Sequence, residues 1–179
     1  TLMYSGGTTP PTPVLDTKFF ATYSDSTTYS AACDSDTELT TATTQAHTTP
    51  YNNMTTAEIG SCVTTIGEEA FDSCTSLTSV TIGNGVTTIS DWAFYGCTSL
   101  TSIDIPSGVT TISEEAFYKC FSLSSVTVES TTPPTLGYDA FQFTSSNLVI
   151  YVPSSSVNAY KSASGWSNYA SRIQAIPNT

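Results

Sequence analysis

A 23-residue unit occurs three times in direct succession. VTTIGEEAFDSCTSLTSVTIGNG begins at Val63, VTTISDWAFYGCTSLTSIDIPSG begins at Val86, and VTTISEEAFYKCFSLSSVTVES begins at Val109. A fixed period of this length is typical of a solenoid, in which each repeat is one supersecondary unit stacked on the next. We therefore predict an α/β repeat solenoid with short parallel strands and short helical turns, and we call the three units repeats 1, 2 and 3.

The register extends in both directions. One period before Leu77, Val80 and Ile82 stand Met54, Ala57 and Ile59, which predicts the strand of a partial repeat at 55–60. After repeat 3 the pattern resumes with the period lengthened by a single inserted residue near Thr132. The matching positions of this modified fourth repeat are Leu136, Ala140, Phe141, Ile150 and Val152. The solenoid is thus expected to span residues 54–152.

Within a repeat, alternation of apolar and polar residues predicts a strand with one buried face, as in Leu100–Ile105. Ser90 is expected to cap a short helical turn, and Asp91 and its equivalents are interpreted as helix-start acids. Two columns should stack inside. The phenylalanine ladder comprises Phe71, Phe94, Phe117 and Phe141. The cysteine ladder comprises Cys74, Cys97 and Cys120, which we interpret as small buried thiols.

The segments outside the solenoid are assigned to a tether and two caps. Residues 1–16 are rich in Gly, Thr and Pro and are expected to be flexible. Residues 17–53 should form an N-terminal cap with a β-hairpin at 18–23 and 28–33, followed by irregular chain. Residues 153–179 should form a helical C-terminal cap. It would have one helix from Ser154–Ser156 to about Ala163 and a second around Trp166, Tyr169 and Ile173.

Two of the five cysteines lie outside the ladder. Cys33 and Cys62 either pair across the N-terminal cap or remain reduced, and connectivity cannot be deduced from sequence alone.

Charge limits the possible partners. The chain has 15 acidic residues against four Lys and Arg, for a formal net charge of −11. Such a chain repels phosphate backbones and anionic lipid heads, so we expect no nucleic-acid partner. No run of about 18 apolar residues is present, so no transmembrane segment is expected.

No motif indicates catalysis, a cofactor or a metal. The single histidine, His47, lies in a polar segment, and no G-x-S-x-G motif occurs. Asp34, Asp36 and Glu38 alternate like the start of a calcium loop, but Leu39 stands where that loop needs glycine. The acid pairs Glu68-Glu69 and Glu114-Glu115 are sequence neighbours that point in different directions. Glycosidases instead need two carboxyl groups converging across a cleft. We therefore predict no catalytic residues, no cofactor and no metal site.

Two outward surfaces remain as candidate binding sites. One strand-face column reads Glu58, Thr81, Asp104, Thr127 and Tyr151, and it is either a solvated sheet or a weak polar groove. On the turn side, the columns bring together what we call the aromatic patch: Trp92, Tyr95, Tyr118 and Phe121. Exposed aromatic clusters mark interaction sites. The alternative for the patch is that these rings flatten against neighbouring methylene groups or bury a flank of the cap.

The strand phrase LTSVTI fits the L-x-x-L-x-L core of leucine-rich repeats. The whole phrase V-T-x-I-x-x-x-A-F-x-x-C-x-S-L-x-S-V-x-I closely resembles the BspA-like, or Treponema-type, leucine-rich repeats of bacterial surface proteins. The tail YVPSSSVNAYKSASGW looks like the C-terminal cap of that family. One departure from ordinary leucine-rich repeats is that Gly85 and Gly108 replace the turn asparagine.

The resemblance implies an extracellular or surface-anchored protein, often a lipoprotein, linked to adhesion. The lipid-attachment cysteine is absent from this chain, so a signal or anchor segment would lie upstream of it. We expect a non-catalytic, monomeric recognition or adhesion module that binds a host or bacterial surface protein or a glycan. The alternative is a structural display or spacer unit with no ligand of its own.

Overall fold

The computed structural model describes residues 2–5, 17–33, 36–45 and 50–177. The strands, in chain order, are β1 (Leu2–Ser5), β2 (Thr17–Tyr23), β3 (Thr28–Ala32), β4 (Glu38–Leu39), β5 (Met54–Ile59), β6 (Thr65–Ile66), β7 (Ser79–Ile82), β8 (Thr88–Ile89), β9 (Ser102–Ile105), β10 (Thr111–Ile112), β11 (Ser125–Val128), β12 (Thr135–Leu136), β13 (Val149–Val152) and β14 (Ile173–Ala175). The helices are α1 (Thr41–Thr44), α2 (Val157–Ser162) and 3₁₀ helices at Tyr51–Asn53, Ser154–Ser156 and Trp166–Arg172.

Each repeat contributes one strand to each of two sides of the stack. The longer strands β5, β7, β9, β11 and β13 form what we call the strand face, and they alternate buried and outward residues. The short strands β4, β6, β8, β10 and β12 form a second sheet, which is parallel throughout. The solenoid prediction is confirmed.

The pairing registers reproduce the sequence period. Thr56 lies opposite Ser79, and Ser102 lies opposite Ser125, so the partners in each pair stand one full repeat apart. Ser125 lies opposite Val149, which gives the expected lengthening by a single residue into the fourth repeat. On the strand face, β7 ends one sheet and β9 begins another.

The segments expected to be helical turns are not helices. Residues 68–73, 91–96, 114–119 and 138–143 are turns, and two positions in each have positive φ. In repeat 2 these positions are Trp92 (φ 55°) and Gly96 (φ 68°). We call this side of the molecule the turn face.

Backbone hydrogen bonds explain the turn geometry. The N–H groups of Ala93 and Tyr95 donate to carbonyl groups of their own turn. The alternate N–H groups, those of Trp92, Phe94 and Gly96, donate instead to carbonyl groups of repeat 3. A helix would direct all of its N–H groups back along its own axis, so the left-handed residues are what allow the turns to pair with one another. The interpretation of Asp91 as a helix-start acid was therefore wrong: its Oδ1 accepts from the N–H of Glu114, one repeat further on, at 3.0 Å.

The phenylalanine ladder fills the centre of the stack. Successive ring centroids from Phe71 to Phe141 are 4.9, 5.2 and 5.3 Å apart, and the rings are within 7° of parallel. Both caps extend the ladder, because Phe19 packs on Phe71 and Trp166 packs on Phe141. The predicted ladder is confirmed and continues beyond the repeats.

The cysteine ladder lies beside the phenylalanine ladder. Its three thiols are free and fully buried. Cys97 Sγ donates to the Phe71 carbonyl at 3.2 Å, and Cys120 Sγ donates to the Phe94 carbonyl at 3.1 Å. The thiols of Cys97 and Cys120 therefore tie their repeats to the one before, in agreement with the structural role expected for these residues.

The N-terminal segment contains the expected hairpin, formed by β2 and β3. Two features differ from expectation. Leu2–Ser5, assigned to the tether, pairs with the open edge of β3, and the irregular segment contains β4 and α1. β4 pairs with β6 and so continues the second sheet beyond the repeats. Cys33 and Cys62, whose state the sequence left open, form a disulfide.

The C-terminal segment contains α2 and the 3₁₀ helix Trp166–Arg172, close to the two helices expected there. Ile173, which was assigned to the second helix, instead begins β14, and β14 pairs in parallel with β13. Trp166 is fully buried and donates its indole N–H to the Pro134 carbonyl at 2.7 Å. The division into tether, caps and solenoid remains a prediction.

The caps also complete the hydrogen bonding of the turn ladder. At one end, the hydroxyl groups of Thr41 and Thr44 donate to the carbonyls of Glu68 and Ala70. At the other end, the hydroxyl of Tyr169 accepts from the N–H of Phe141 at 3.3 Å. Side-chain hydroxyls thus replace the neighbouring repeat that a terminal turn lacks, which avoids the cost of unpaired backbone groups.

Three sequence-based interpretations fall outside the described residues. They concern His47, the Asp34 position of the calcium-like motif, and residues 6–16 of the tether.

Candidate functional site

The rings of the aromatic patch follow the stacking of the repeats. Tyr95 of repeat 2 stacks on Tyr118 of repeat 3, with centroids 5.5 Å apart and planes 11° from parallel. Phe143 of the fourth repeat continues the row, with its ring edge-on to Tyr118 at 5.1 Å. Phe121 lies in the same repeat as Tyr118 and is 56% exposed. A continuous row of rings thus runs across three repeats, with Tyr95 and Tyr118 at equivalent positions and Phe143 one residue further along its repeat.

A lysine lies against this row. Lys119 Nζ donates to the Tyr95 hydroxyl at 2.7 Å, and it is 5.1 Å from the centre of the Tyr95 ring and 5.5 Å from that of Tyr118. The hydrogen bond with Tyr95 is the main cause that raises the pKa of Lys119. The Tyr95 hydroxyl therefore holds a cation supplied by the chain itself at the edge of the row of rings.

Trp92 and Tyr95 line a recess of about 300 Å³, together with Glu69, Asp72 and Glu115. We call it the acidic-aromatic recess. Trp92 donates its indole N–H to Glu115 Oε2 at 3.2 Å, and its backbone N–H bonds to the Glu114 carbonyl at 3.1 Å. Hydrogen bonds therefore fix both the indole ring and the backbone of Trp92, whose φ is positive.

Three large apolar side chains on the turn face are mainly exposed. They are Phe121 at 56%, Phe143 at 53% and Tyr138 at 72%. The negative charge of Asp139 is the main cause that raises the pKa of Tyr138. The sequence-based patch omitted Phe143 and Tyr138. The columns through Lys119 and Glu114, which were not drawn from the sequence, would have found both, since the two residues stand one lengthened period after these positions.

The strand-face column is assembled as expected. Glu58 pairs with Thr81, Asp104 pairs with Thr127, and Thr127 pairs with Tyr151. Thr81 and Asp104 are exposed, and the other three are partly buried. A recess of about 220 Å³ lies where β7 and β9 meet. Its lining comprises Val80, Thr81, Ile82, Asn84, Asp104, Pro106 and Glu129.

The chemistry of the described residues favours binding. Among them, no group of three or more His, Cys, Asp or Glu side chains could hold a metal ion. Burial raises the pKa of the Cys74 and Cys97 thiols well above the ordinary value, so these groups remain protonated and are not poised as nucleophiles. The polar and aromatic groups of the two recesses are suited to holding a ligand.

Parallel strands in register, stacked apolar ladders and capped ends together define a leucine-rich repeat solenoid. The sequence agrees with this class at the level of family. Residues 43–166 match the family model described as a BspA type leucine rich repeat region with six copies, and the chain belongs to this family.

A solved structure supports the assignment. The chain is similar to a leucine-rich repeat protein from Bacteroides ovatus, with 27% sequence identity and a TM-score of 0.53. The match covers 71% of this chain but only 31% of that protein, so the chain spans about a third of its length. Among curated proteins, none matches the chain significantly. In the described part of the chain, no helix has the length and apolarity needed to span a bilayer.

Membership of this family supports a general assignment. Leucine-rich repeat proteins are generally non-enzymatic and serve as protein-interaction or surface repeat modules. BspA-type repeats are typical of bacterial surface proteins.

Proposed function

We propose that this chain is a non-catalytic recognition or adhesion module that binds a host or bacterial surface protein, or a glycan, through its turn face. The observation that carries the proposal is the location of the exposed aromatic side chains. Phe121, Phe143 and Tyr138 are large apolar residues that are mainly exposed, and all three lie in turns of repeats 3 and 4.

Packing within the fold does not require these side chains. The interior is already filled by the phenylalanine ladder, which both caps close. Exposed aromatic residues that lie close together form interaction surfaces more often than scattered ones do. The turn face also offers rigid rings, since Tyr118 is held between Tyr95 and Phe143. A rigid aromatic surface loses little conformational entropy when it binds.

A surface location is supported by two features. BspA-type repeats are typical of bacterial surface proteins. The Cys33–Cys62 disulfide suits an oxidising environment, because such bridges persist outside the cytosol and are rare within it. We propose that the module acts as a monomer, exported or displayed on the cell.

An array experiment tests the proposal. The native chain is applied to arrays of glycans and of matrix and surface proteins, and partners that bind it are carried forward. A variant with Trp92, Tyr95, Tyr118 and Phe121 replaced by Ser is expected to lose binding. Because three of these side chains are partly buried, the pair Phe121→Ser and Phe143→Ser serves as a milder variant. Circular dichroism checks that each variant is folded.

The strand face provides the control. A variant with Thr81, Asp104, Thr127 and Tyr151 replaced by Ser alters the other candidate surface to a comparable extent and is expected to keep binding. Loss of binding in this variant alone would move the site to the strand face and overturn the turn-face assignment. A native chain that binds nothing across the arrays would favour the display or spacer unit instead.

A further inference from the structure

We propose that the acidic-aromatic recess binds the side chain of a lysine or arginine presented by a basic segment of a protein partner. This inference deepens the proposed function and rests on it, because it assigns a chemical class to the group that the turn face recognises. The recess combines two aromatic rings, Trp92 and Tyr95, with the carboxylates of Glu69, Asp72 and Glu115.

The chemistry of the lining favours an organic cation. An ammonium or guanidinium group is attracted to the face of an aromatic ring, most strongly to that of tryptophan. Carboxylates beside the ring add direct Coulomb attraction and accept hydrogen bonds from the same group. None of the five lining side chains is basic, and Lys119 lies beside the recess, where it donates to the Tyr95 hydroxyl.

The neighbouring site on the turn face places an ammonium group beside one of these two rings. Lys119 Nζ lies 5.1 Å from the centre of the Tyr95 ring and donates to its hydroxyl. Tyr95 thus accepts a hydrogen bond from Lys119 through its hydroxyl while its ring also lines the recess. A lysine from a partner would repeat, one step along the row, a contact that the fold already makes.

The shape of the recess is prepared before any ligand arrives. Trp92 is held by bonds from its backbone to Glu114 and from its indole to Glu115, and Tyr95 is held by its stack on Tyr118. Binding therefore orders few additional side chains, which limits its entropic cost.

Net charge argues for a protein partner with a basic segment. At −11, the chain attracts positively charged partners over a distance set by the salt concentration. Three of its four basic groups already have a polar partner, and one of them, Lys119, donates to the Tyr95 hydroxyl beside the recess. Lys18 lies 3.8 Å from Asp36, and Arg172 donates to the Ser145 carbonyl. A basic segment would find both long-range attraction and a specific pocket.

The two tryptophans make a direct test possible. In a ¹⁵N-labelled sample, the indole N–H of Trp92 reports on the recess, while that of Trp166 is buried in the C-terminal cap and serves as an internal control. Trp92→Phe assigns the two peaks. The titrant is an uncharged-ended octapeptide with alternating lysine and serine, and the matched control is the same peptide with every lysine acetylated, which removes the charge.

The expected result is a saturable shift of the Trp92 peak with the lysine peptide, no shift with the acetylated peptide, and an unmoved Trp166 peak. Glu69→Gln combined with Glu115→Gln is expected to weaken binding about fivefold, as the loss of exposed ionic contacts would. Glutamine retains an acceptor for the Trp92 indole. Asp104→Asn combined with Glu129→Gln changes net charge equally on the strand face and should leave the affinity within about twofold.

Three results would overturn the inference. These are equal shifts with the charged and acetylated peptides, equal weakening by the two charge-matched variants, and no response of Trp92 to the lysine peptide. The array experiment separates this failure from that of the proposed function. If a neutral glycan binds there and the aromatic-patch variant loses it, recognition by the turn face stands while the preference for a basic side chain is wrong.

Discussion

Replacing Phe94 by Ala tests whether the stacked ladder is the main source of stability. Phe94 is fully buried, with its centroid 4.9 Å from that of Phe71 and 5.2 Å from that of Phe117. Burying the side chain contributes about 1.5–3 kcal/mol, and each of the two ring pairs adds about 0.5–1.5 kcal/mol. Since the repeats on both sides are stacked and resist collapse into the cavity, we expect a loss of about 4 kcal/mol.

The loss is large relative to the free energy of unfolding of a natural domain, about 5–15 kcal/mol. Urea unfolding followed by far-ultraviolet circular dichroism measures it. For a chain of this size, the melting temperature should also fall by about 10 °C. The matched control is Phe121→Ala, which makes the same chemical change at a residue that is 56% exposed and should cost less than about 1 kcal/mol. Similar losses in the two variants would refute the assignment of stability to the ladder.

Further predictions concern the disulfide, the C-terminal cap and the cysteine ladder. Replacing Cys33 and Cys62 by Ser should lower the free energy of unfolding in urea by about 3–4 kcal/mol, since the bridge spans a sequence separation of 29. A loss below about 1 kcal/mol would contradict a structural role for the disulfide. Tyr169→Phe should lower the free energy of unfolding by about 1–3 kcal/mol in the same assay, because the buried N–H of Phe141 loses its acceptor while the ring contact remains. An unchanged stability would show that water replaces the Tyr169 hydroxyl as the acceptor. The cysteine ladder should resist a thiol reagent until the chain is unfolded, and rapid labelling of the native protein would place the thiols at the surface. The free energy of unfolding should fall as pH rises above 9.0, the ordinary thiol pKa, because the unfolded chain then releases protons that the folded ladder retains. A free energy of unfolding that does not change with pH in this range would contradict the prediction.

The period of the sequence was sufficient to predict the register of the solenoid. When a unit recurs at a fixed period, equivalent residues must stack, and the pairing of Thr56 with Ser79 follows directly. The same reasoning placed Phe94 between Phe71 and Phe117, and Tyr95 beside Tyr118. Both the core and part of the candidate site could therefore be read from one repeated phrase.

Prediction failed where neighbouring repeats compete with local structure. Serine followed by acids suggested a helix at Asp91, but the turn instead donates alternate N–H groups to the next repeat, which requires left-handed residues such as Trp92. Local propensity contains no information about the neighbouring turn, one repeat away, with which this turn pairs. Phe143 was missed for a simpler reason, since the register was not carried through the column that contains Lys119.

The sequence alone therefore determined the class of fold, the composition of both ladders and the columns on each face, because stacking converts a linear period into spatial contact. The tertiary structure alone decided how the ends are completed and how the surface is shaped. Two contacts involve segments outside the repeat register. They are the disulfide between Cys33 and Cys62 and the hydrogen bond from the Phe141 N–H to the Tyr169 hydroxyl. The acidic-aromatic recess likewise depends on side-chain orientations that only packing between successive turns establishes.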